Sequence, residues 1–479
     1  MRNRAFFKFA FCFAFCMYFR VADLELSAQS NNRLAVINVV DEKALTCIGG
    51  IYGNNINGQS FQQDAVISVH GWQYVAYYDD RRHVCIGRRK LPKGEWEVIR
   101  LTDYRFSNNH KQDNDTHNAI SMGLCANDGT IHLAFDHHGG QLNYRVSAKG
   151  ILNHPENVIW DAGLFAPVIN YLEIGKPINR ITYPAFISTP QGNLLFAYRN
   201  GYSSNGDYLI GNYDGLTGKW QDPHVFISAK GDFNDPYNGL SKTRNAYLNN
   251  LCYDRNGRLH ISWTWREENK NLGNRDVCYA YSNDNGRIWH NTTDEPIASY
   301  DLDKNTIIDI FSPGITIKHL DRGWGMMNQQ AQVVDNNLRP HIVMYHRINK
   351  NIPGWAKMND GAYFHYYKDA GKWQEQRLPF IGNRPKLLAD KKGDLFLVFV
   401  RKDHFEVKDQ GAPLVIVRAT ADTKWNNWTE VYVSKENYFN EPQVDLPKWI
   451  SENILSVMVQ KNPQTEGAPS ELAVIDIKL

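Results

Sequence analysis

Two histidines lie in stretches of this sequence that are crowded with polar residues. His117 lies in DNDTHN and His137 in FDHHGG, each beside a predicted strand. Imidazole titrates near neutral pH, so two histidines can divide the work of a general acid and a general base. Adjacent antiparallel strands can bring such side chains within hydrogen-bonding reach of one substrate. We therefore take His117 and His137 as a candidate acid–base pair, in either order, with Tyr183 as the alternative acid.

Cationic side chains recur at the ends of predicted strands along the chain. Arg199 ends LLFAYR, Arg266 ends HISWTWR and Arg401 ends LFLVFVR, and with His137 and His346 they are expected to approach one rim of the fold. The whole chain is almost neutral, with 53 Lys and Arg against 51 Asp and Glu. A local positive site on a neutral protein favours an anionic substrate, and arginine binds a carboxylate through two parallel hydrogen bonds.

An internal repeat with a period of roughly 60 residues carries these side chains. One copy reads NDGTIHLAFDHH, and the related copies read QGNLLFAYRN, RNGRLHISWTWR, NNLRPHIVMYHR, KKGDLFLVFVRK and, more weakly, GWQYVAYYDD and NILSVMVQKN. Each copy is a turn signal followed by a short apolar strand. Seven such units predict an all-β fold, a seven-bladed β-propeller. Either RLAVINVV (33–40) or ELAVIDIKL (471–479) is expected to complete a terminal blade.

The stretch SNDNGRIW, residues 282–289, fits the S-x-D-x-G-x-x-W pattern of an Asp-box turn. In such a turn the aspartate caps backbone N–H groups and the tryptophan packs beneath them. Three histidines elsewhere, His132, His260 and His341, lie inside apolar strands and are expected to be structural.

The first 28 residues are typical of a secretory signal peptide. Arg2 and Arg4 precede the apolar run 5–19, and LSA at 26–28 offers a cleavage site. The run is shorter than the roughly 20 residues that span a bilayer, so we expect no membrane span. We predict one domain over residues 29–479 and a secreted or periplasmic location.

At the polar histidine stretches the sequence resembles a known group of proteins. DTHNAISMGLCANDGTIHLAFDHH, and after it ITYPAF, YRNGYSSNGD and NAYLNN, resemble the BNR-type propellers that include ulvan lyases and rhamnosyl-glucuronate lyases. The likeness runs from about residue 58 to about residue 290. It implies a polysaccharide lyase that cleaves the bond between L-rhamnose and C4 of D-glucuronate by β-elimination, leaving a 4,5-unsaturated uronate. The substrate would be ulvan or a rhamnose-capped arabinogalactan.

The resemblance also implies a set of site residues. The catalytic residues would be His117, His137, Tyr183 and Arg199. We expect four further residues to bind the substrate: Asn118, His138, Tyr247 and Arg266.

The expected partners and cofactors follow from this chemistry. An arginine that neutralises the carboxylate leaves no need for a catalytic metal, so we expect no cofactor for the reaction itself. His260 and Cys278, with Cys252 or Asp207, could hold a structural zinc, which favours such nitrogen and sulfur ligands, or a calcium ion. Burial in the core is the alternative role for both. We expect a monomer that binds an anionic polysaccharide, and the lack of basic excess argues against nucleic acid.

Three other functions compete with a lyase. Related propellers act as α-L-rhamnosidases on the same linkage with a histidine near the first blade, where this chain reads INGQSFQQDAV and has none. A sialidase would need an arginine triad and several Asp-boxes, and the chain has one good Asp-box. A non-catalytic glycan-binding propeller would keep the arginines and aromatic residues without needing paired histidines.

Overall fold

The computed structural model describes residues 35–48, 55–106, 115–221, 223–268, 273–300, 306–357, 360–401, 411–439 and 441–479. The predicted signal peptide, residues 1–28, lies outside the described residues. The described chain is almost entirely β-structure, as the repeat predicts. No described helix has the length and apolar character that crossing a membrane requires.

The first part of the chain forms one long strand and two small sheets. The strands are β1 (Ala35–Ala44), β2 (Val66–Val69), β3 (Trp72–Tyr78), β4 (His83–Lys90), β5 (Glu97–Arg105), β6 (Ser121–Cys125), β7 (Thr130–Ala134), β8 (His138–Gly140) and β9 (Tyr144–Val146). Strands β2 to β5 form an antiparallel sheet in chain order, and β6, β7 and β9 form the next sheet. Two 3₁₀ helices follow, Pro155–Asn157 and Ala162–Leu164.

The middle of the chain, together with β8, forms a sheet of 13 strands. Its strands are β10 (Ile181–Ser188), β11 (Leu194–Tyr202), β12 (Asn205–Asp214), β13 (Lys219–Trp220), β14 (His224–Ile227), β15 (Lys230–Asp235), β16 (Gly239–Tyr253), β17 (Leu259–Glu267), β18 (Arg275–Ser282), β19 (Ile288–His290), β20 (Pro296–Ser299) and β21 (Thr316–Lys318). One parallel pair, Gly206 with Asn245, joins β12 to β16. The large sheet therefore consists of two antiparallel groups that touch at one point.

The last part of the chain forms three further sheets. After a 3₁₀ helix at Arg322–Trp324 come β22 (Ala331–Val334), β23 (Pro340–Arg347), β24 (Gly361–Asp369), β25 (Lys372–Arg377), β26 (Lys386–Ala389), β27 (Leu395–Val400), β28 (Ala412–Ala419), β29 (Thr429–Tyr438), β30 (Gln443–Val444), α1 (Leu446–Glu452), β31 (Ile454–Gln460) and β32 (Ser470–Lys478). Strands β22–β25 and β26–β29 form two antiparallel sheets, and β30, β31 and β32 form the last sheet together with β1.

The hydrophobic core is divided among clusters that lie between neighbouring sheets. Strands such as β3 and β23 are therefore buried along their whole length, because a sheet packs on each of their faces. One cluster joins the last sheet to the first: Met458 and Val474 pack with Val75 and Cys85. The first described strand also pairs with the last, with Val36 opposite Asp476. The prediction that an end of the chain completes a terminal sheet is confirmed for both ends.

The Asp-box prediction is also confirmed. The Asp284 carboxylate accepts hydrogen bonds from the backbone N–H of Ile288 at 2.8 Å and from the Ser282 hydroxyl at 2.7 Å. Trp289 is buried and stacks on Phe226. The turn thus joins β18 to β19 and anchors β19 to the core of the middle sheet.

The three strand histidines are buried, as the sequence predicts for structural residues. His132 contacts the Thr130 hydroxyl through Nε2 and the Tyr144 hydroxyl through Nδ1. His260 contacts Asp254 through Nε2 and the Tyr279 hydroxyl through Nδ1. Burial lowers the pKa of His132 to about 3, so its ring is neutral inside the folded protein.

This burial predicts a pH-dependent stability. A histidine in the unfolded chain has a pKa near 6.5, so below that pH the unfolded state takes up a proton that folded His132 does not accept. Stability is therefore highest above about pH 6.5 and falls as the pH drops toward the folded pKa. His132 alone should account for a loss of about 2 kcal/mol between about pH 6.5 and about pH 5.

Urea unfolding followed by tryptophan fluorescence across this range measures the loss. His132→Gln should flatten the dependence on pH, whereas His154→Gln, at an exposed histidine, should leave it unchanged. If the free energy of unfolding depends on pH equally in the wild type, His132→Gln and His154→Gln, buried His132 has no role in acid sensitivity.

Candidate active site

Tyr183 lies at an irregular point of β10. The register of β10 against β11 shifts between Thr182 and Ala185, and Tyr183 has a positive φ of 56°. A bulge redirects the side chain it carries, and a residue other than glycine stays in the left-handed region only where its surroundings hold it there. The ring of Tyr183 lies 4.9 Å from the ring of Phe61 and 5.8 Å from that of His117, measured between centroids.

Arg199 lies on the neighbouring strand β11, and its guanidinium carbon is 4.9 Å from the centre of the Tyr183 ring. The residue is 1% exposed, and Nε and Nη1 find no hydrogen-bond partner among the described residues. Gly206 leaves room for this side chain, since a Cβ there would lie 2.8 Å from Arg199 Cγ. A buried charge without a partner is costly. The position therefore suits an anionic ligand that supplies the missing acceptors.

Tyr247, on β16, lies between two arginines. Its ring centre is 4.7 Å from the guanidinium carbon of Arg266 and 6.0 Å from that of Arg199, and its hydroxyl lies 3.3 Å from Ser203 Oγ. Burial raises the pKa of Tyr247, but the charges of Arg266 and Arg199, together with hydrogen bonds to Ser203 and Tyr183, lower this pKa to about 8 overall. Tyr247 can therefore ionise near neutral pH.

The pKa of Tyr183 is shifted in the opposite direction, although the Tyr183 and Tyr247 ring centroids are only 5.8 Å apart. Burial and the neighbouring Tyr247 raise the pKa of Tyr183 above its ordinary value. Two tyrosines whose environments push their pKa values apart can serve as a base and an acid in one reaction.

Asp115 holds two histidines with one carboxylate. Its Oδ1 lies 2.9 Å from His117 Nδ1, and its Oδ2 is hydrogen-bonded to His138 Nδ1. The two imidazole rings stack with their centroids 4.1 Å apart and their planes 9° from parallel. Burial alone would raise the pKa of Asp115, but the hydrogen bonds from both histidines lower it overall. Asp115 is thus an acceptor, and each Nδ1 carries the proton that it donates.

His117 is neutral in this arrangement. Burial lowers its pKa to about 4, although the bond to Asp115 acts in the opposite direction. With the proton on Nδ1, the lone pair lies on Nε2, on the side of the ring turned away from Asp115. His117 is therefore held in one tautomer that can accept a proton or a hydrogen bond.

His137 is not brought to this pair. It is fully buried, and its Nε2 accepts a hydrogen bond of 2.8 Å from the backbone N–H of Asn143. Burial lowers its pKa to about 3. His138, which the sequence assigned to substrate binding, takes the place beside His117 that was expected of His137.

The other expected substrate-binding residues lie nearby. Asn118 is buried, and within the described chain neither polar atom of its amide has a partner. Arg266 donates to Asn274 Oδ1 at 3.0 Å, and its guanidinium lies between the rings of Tyr247 and Trp355, 4.7 Å from each centre.

Two residues of the expected rim make contacts elsewhere. His346 is buried, stacks on Phe364 and contacts the Tyr366 hydroxyl at 2.7 Å. Arg401 is half-exposed and pairs with Glu430. The structure thus joins Arg199 and Arg266 at Tyr247, whereas His346 and Arg401 have protein partners of their own.

With this geometry established, comparison with known proteins gives the family. The family model described as "BNR repeat-containing family member" matches residues 72–381. This chain belongs to that BNR repeat-containing family. The match confirms the resemblance to BNR-type propellers, and it includes every residue of the candidate site except Phe61.

The relatives of this BNR repeat protein include enzymes. The long isoform of an ulvan lyase from Alteromonas sp is 26% identical over 365 residues, which are 67% of this chain and 34% of the relative. The chain therefore spans about a third of the length of that relative. The short isoform from Alteromonas sp. (strain LOR) is 24% identical over 56% of each chain.

Solved structures show the same fold. The crystal structure of a polysaccharide lyase matches with a TM-score of 0.71 and 18% identity, covering 93% of this chain and 99% of that one. A PL25 ulvan lyase bound to -[GlcA(1-4)Rha3S]- matches with a TM-score of 0.66 and 13% identity, covering 93% and 96%.

The BNR repeat chain does not bring its two expected metal ligands together. Strands β17 and β18 pair His260 with Tyr281 and Trp263 with Cys278. Since successive residues of a strand face opposite sides, His260 and Cys278 lie on opposite faces of the sheet. His260 already contacts Asp254 and Tyr279. The two side chains offer no common position for an ion.

Among the described residues, one group could offer ligands to a metal ion: one ligand atom each of Asp115, His117 and His138 lies within 4.8 Å of the others. A cation held there would replace the hydrogen bonds between Asp115 and the two rings. It would also lie near the positive charge of Arg199, which already disfavours a charged His117.

Asp115 is a site residue that was not expected from the sequence. Its signal is the spacing Asp-x-His within DNDTHN, because Asp115 Oδ1 also accepts the backbone N–H of His117 at 3.0 Å. An aspartate that turns the chain in this way places its carboxylate beside the residue two positions later.

We expect Asp115→Asn to lower the pKa of His117 below about 4, because the bond and the charge of Asp115 are influences that raise it. An amide offers one acceptor oxygen, so the two rings would no longer each have a carboxylate oxygen. NMR titration of ¹⁵N-labelled histidine, assigned with His117→Gln, measures both the pKa and the tautomer. Asp161→Asn, at an exposed aspartate, is the control, and a His117 pKa that stays or rises in Asp115→Asn would contradict the assignment.

Proposed function

We propose that this chain is a polysaccharide lyase that cleaves the bond between L-rhamnose and C4 of D-glucuronate by β-elimination. The observation that carries the proposal is the buried Arg199 guanidinium, whose Nε and Nη1 have no partner among the described residues, beside one tyrosine with a lowered pKa and one with a raised pKa. The ulvan lyases among its relatives support the reaction type. A structural relative bound to -[GlcA(1-4)Rha3S]- supports the linkage.

The proposed architecture is a single seven-bladed propeller over residues 29–479. Its support is the succession of core clusters between neighbouring sheets, which ends with contacts between the last sheet and the first. We also propose a monomer that is secreted or periplasmic, with residues 1–28 as the signal peptide, because a polysaccharide substrate lies outside the cell.

Substrate binding begins at Arg199 in this proposal. The uronate carboxylate accepts hydrogen bonds from the Arg199 guanidinium, whose Nε and Nη1 have no partner in the described structure. Pairing with the guanidinium stabilises the negative charge that develops on the carboxylate as C5 loses its proton. The Asn118 amide, which has no partner in the described part of the chain, offers a donor and an acceptor to a sugar hydroxyl.

Proton transfer is assigned to the two tyrosines. The Tyr247 phenolate takes the C5 proton, the C4–O4 bond breaks, and Tyr183 gives its proton to the departing O4. The electron pair of the C5–H bond becomes the C4=C5 double bond, so no water enters the product. A base works best with a pKa near the working pH, and the pKa of Tyr247, about 8, meets this condition better than that of His117, about 4.

The stacked pair His117 and His138 positions the sugar in this scheme. The Nε2 atom of neutral His117 accepts a hydrogen bond from a sugar hydroxyl, and Asp115 fixes the ring that presents it. His138 keeps the substrate-binding role expected of it, and His137, expected as an acid or base, has no part in this scheme. The alternative is that His117 itself takes the C5 proton, with Tyr183 still as the acid.

The reaction type can be tested on ulvan and on a rhamnose-capped arabinogalactan. We expect ultraviolet absorbance from an unsaturated uronate, and no heavy oxygen in the product when the reaction runs in ¹⁸O-labelled water. Arg199→Gln should reduce kcat/KM by about 100-fold or more, the loss typical of one key electrostatic group, while thermal unfolding shows a folded protein.

Other outcomes identify the competing functions. Heavy oxygen at a new reducing end would show hydrolysis, as an α-L-rhamnosidase would produce. Binding of either polymer without turnover would show a glycan-binding protein. Activity on one polymer alone would decide between ulvan and arabinogalactan.

The pH profile tests which residue is the base. If Tyr247 acts as a phenolate, kcat/KM should rise about tenfold per pH unit and level off above about pH 8, because Tyr247 loses its proton there. Tyr247→Phe should remove this rise together with most of the activity. If His117 is the base, the rise lies near pH 4 instead and survives in Tyr247→Phe.

A further inference from the structure

An open surface adjoins the stacked histidines on the side of β8. We call His138, Gly139, Gly140, Arg180 and Tyr202 the glycine shelf. Strand β8 supplies its floor and pairs with β10, with His138 opposite Thr182 and Gly140 opposite Ile181. Because His138 stacks on His117, the shelf starts within the candidate active site and runs away from it.

The two glycines of the floor have no side chains. A Cβ at Gly140 would meet no atom within 4 Å, so the space above this residue is open. A Cβ at Gly139 would lie 3.3 Å from Cε1 of Tyr202, so the tyrosine ring rests against the floor there. A large molecule can approach the backbone closely at Gly140, beside the Tyr202 ring.

Tyr202 and Arg180 form the wall of the shelf. Tyr202 is 53% exposed, in contrast to Tyr183 and Tyr247, which are buried in the site. The guanidinium carbon of exposed Arg180 lies 5.6 Å from the centre of its ring. An aromatic ring packs against the apolar face of a ligand, and a cation beside it attracts a negative group. The two side chains together suit a ring that is partly apolar and carries an anionic substituent.

We propose that the glycine shelf is a second subsite, which binds a neighbouring sugar of the polysaccharide. The sugar ring packs on Tyr202, and its carboxylate or sulfate ester pairs with Arg180. This inference rests on the proposed function, since it extends the same site along the same polymer. The shelf makes the protein favour a long acidic chain over the shortest fragment that contains the cleaved bond.

Kinetics on ulvan and on the shortest ulvan oligosaccharide that the wild type cleaves test the subsite. In Tyr202→Ala the ratio of kcat/KM on ulvan to kcat/KM on the oligosaccharide should fall about threefold to tenfold, mainly through KM, as expected for one aromatic contact. Tyr202→Phe keeps the ring and should restore the ratio. Arg180→Gln should lower the ratio at low salt but not at high salt, because screening already weakens the ion pair there.

A matched control comes from another exposed tyrosine. Tyr300 is 38% exposed and stacks on His224, beside the Asp-box turn. Tyr300→Ala should leave the ratio unchanged. An unchanged ratio in Tyr202→Ala, or an equal fall in Tyr300→Ala, would overturn the proposal for the shelf.

Failure of the proposed function would look different. If the wild type releases no unsaturated product from ulvan or from the arabinogalactan, the lyase assignment fails, and the shelf is then tested by binding alone. Electrophoresis of the folded wild type and Tyr202→Ala in gels containing ulvan measures affinity without turnover. Weaker retardation of the variant supports a sugar-binding shelf, and equal retardation overturns it.

Discussion

The pairing of the first described strand with the last is the constraint on which the remaining structure depends. Strand β1 lies against β32 in the last sheet, and that sheet packs on the first. Polar contacts reinforce this junction: Arg89 of the first sheet pairs with Asp476 at 2.7 Å, and Asp445 accepts the backbone N–H of Ser68 at 3.0 Å. Each sheet buries its apolar faces only because it has a neighbour on both sides. Contacts across this junction give the first and last sheets their second neighbour.

The same arrangement explains why the candidate site combines residues that are distant in sequence. Tyr183, Arg199 and Tyr247 belong to three strands of the large middle sheet, while His117 precedes β6 and lies against them through Phe61. Each of the three strands contributes one functional side chain to the site. The positive charges gathered there lower the pKa of Tyr247, and burial raises that of Tyr183. Two residues of the same type, Tyr183 and Tyr247, thus acquire different acid–base properties from their different surroundings.

Much of the fold and part of the site follow from sequence, and the physical reasons for the failures are specific. The repeat locates the strands because each copy alternates a turn signal with an apolar run. It does not distinguish His137 from His138, since neighbouring residues face opposite ways and an irregularity near a strand end decides which one faces the site. The same alternation of faces places His260 and Cys278 on opposite sides of the sheet. Only the pairing register of β17 and β18 shows this, and the sequence does not give that register. The bulge at Tyr183 is a tertiary feature that periodicity does not encode.

Arg199 also has a consequence for the energetics of the whole chain. A buried cation without acceptors destabilises the folded state, and an anion that binds it stabilises only that state. Ligand occupancy and folding are therefore linked at this residue. Under the proposed function an acidic polysaccharide is such an anion, so the protein should resist unfolding and proteolysis best while that polymer is present and become more vulnerable as it is consumed. The lifetime of the molecule would then depend on the supply of its ligand.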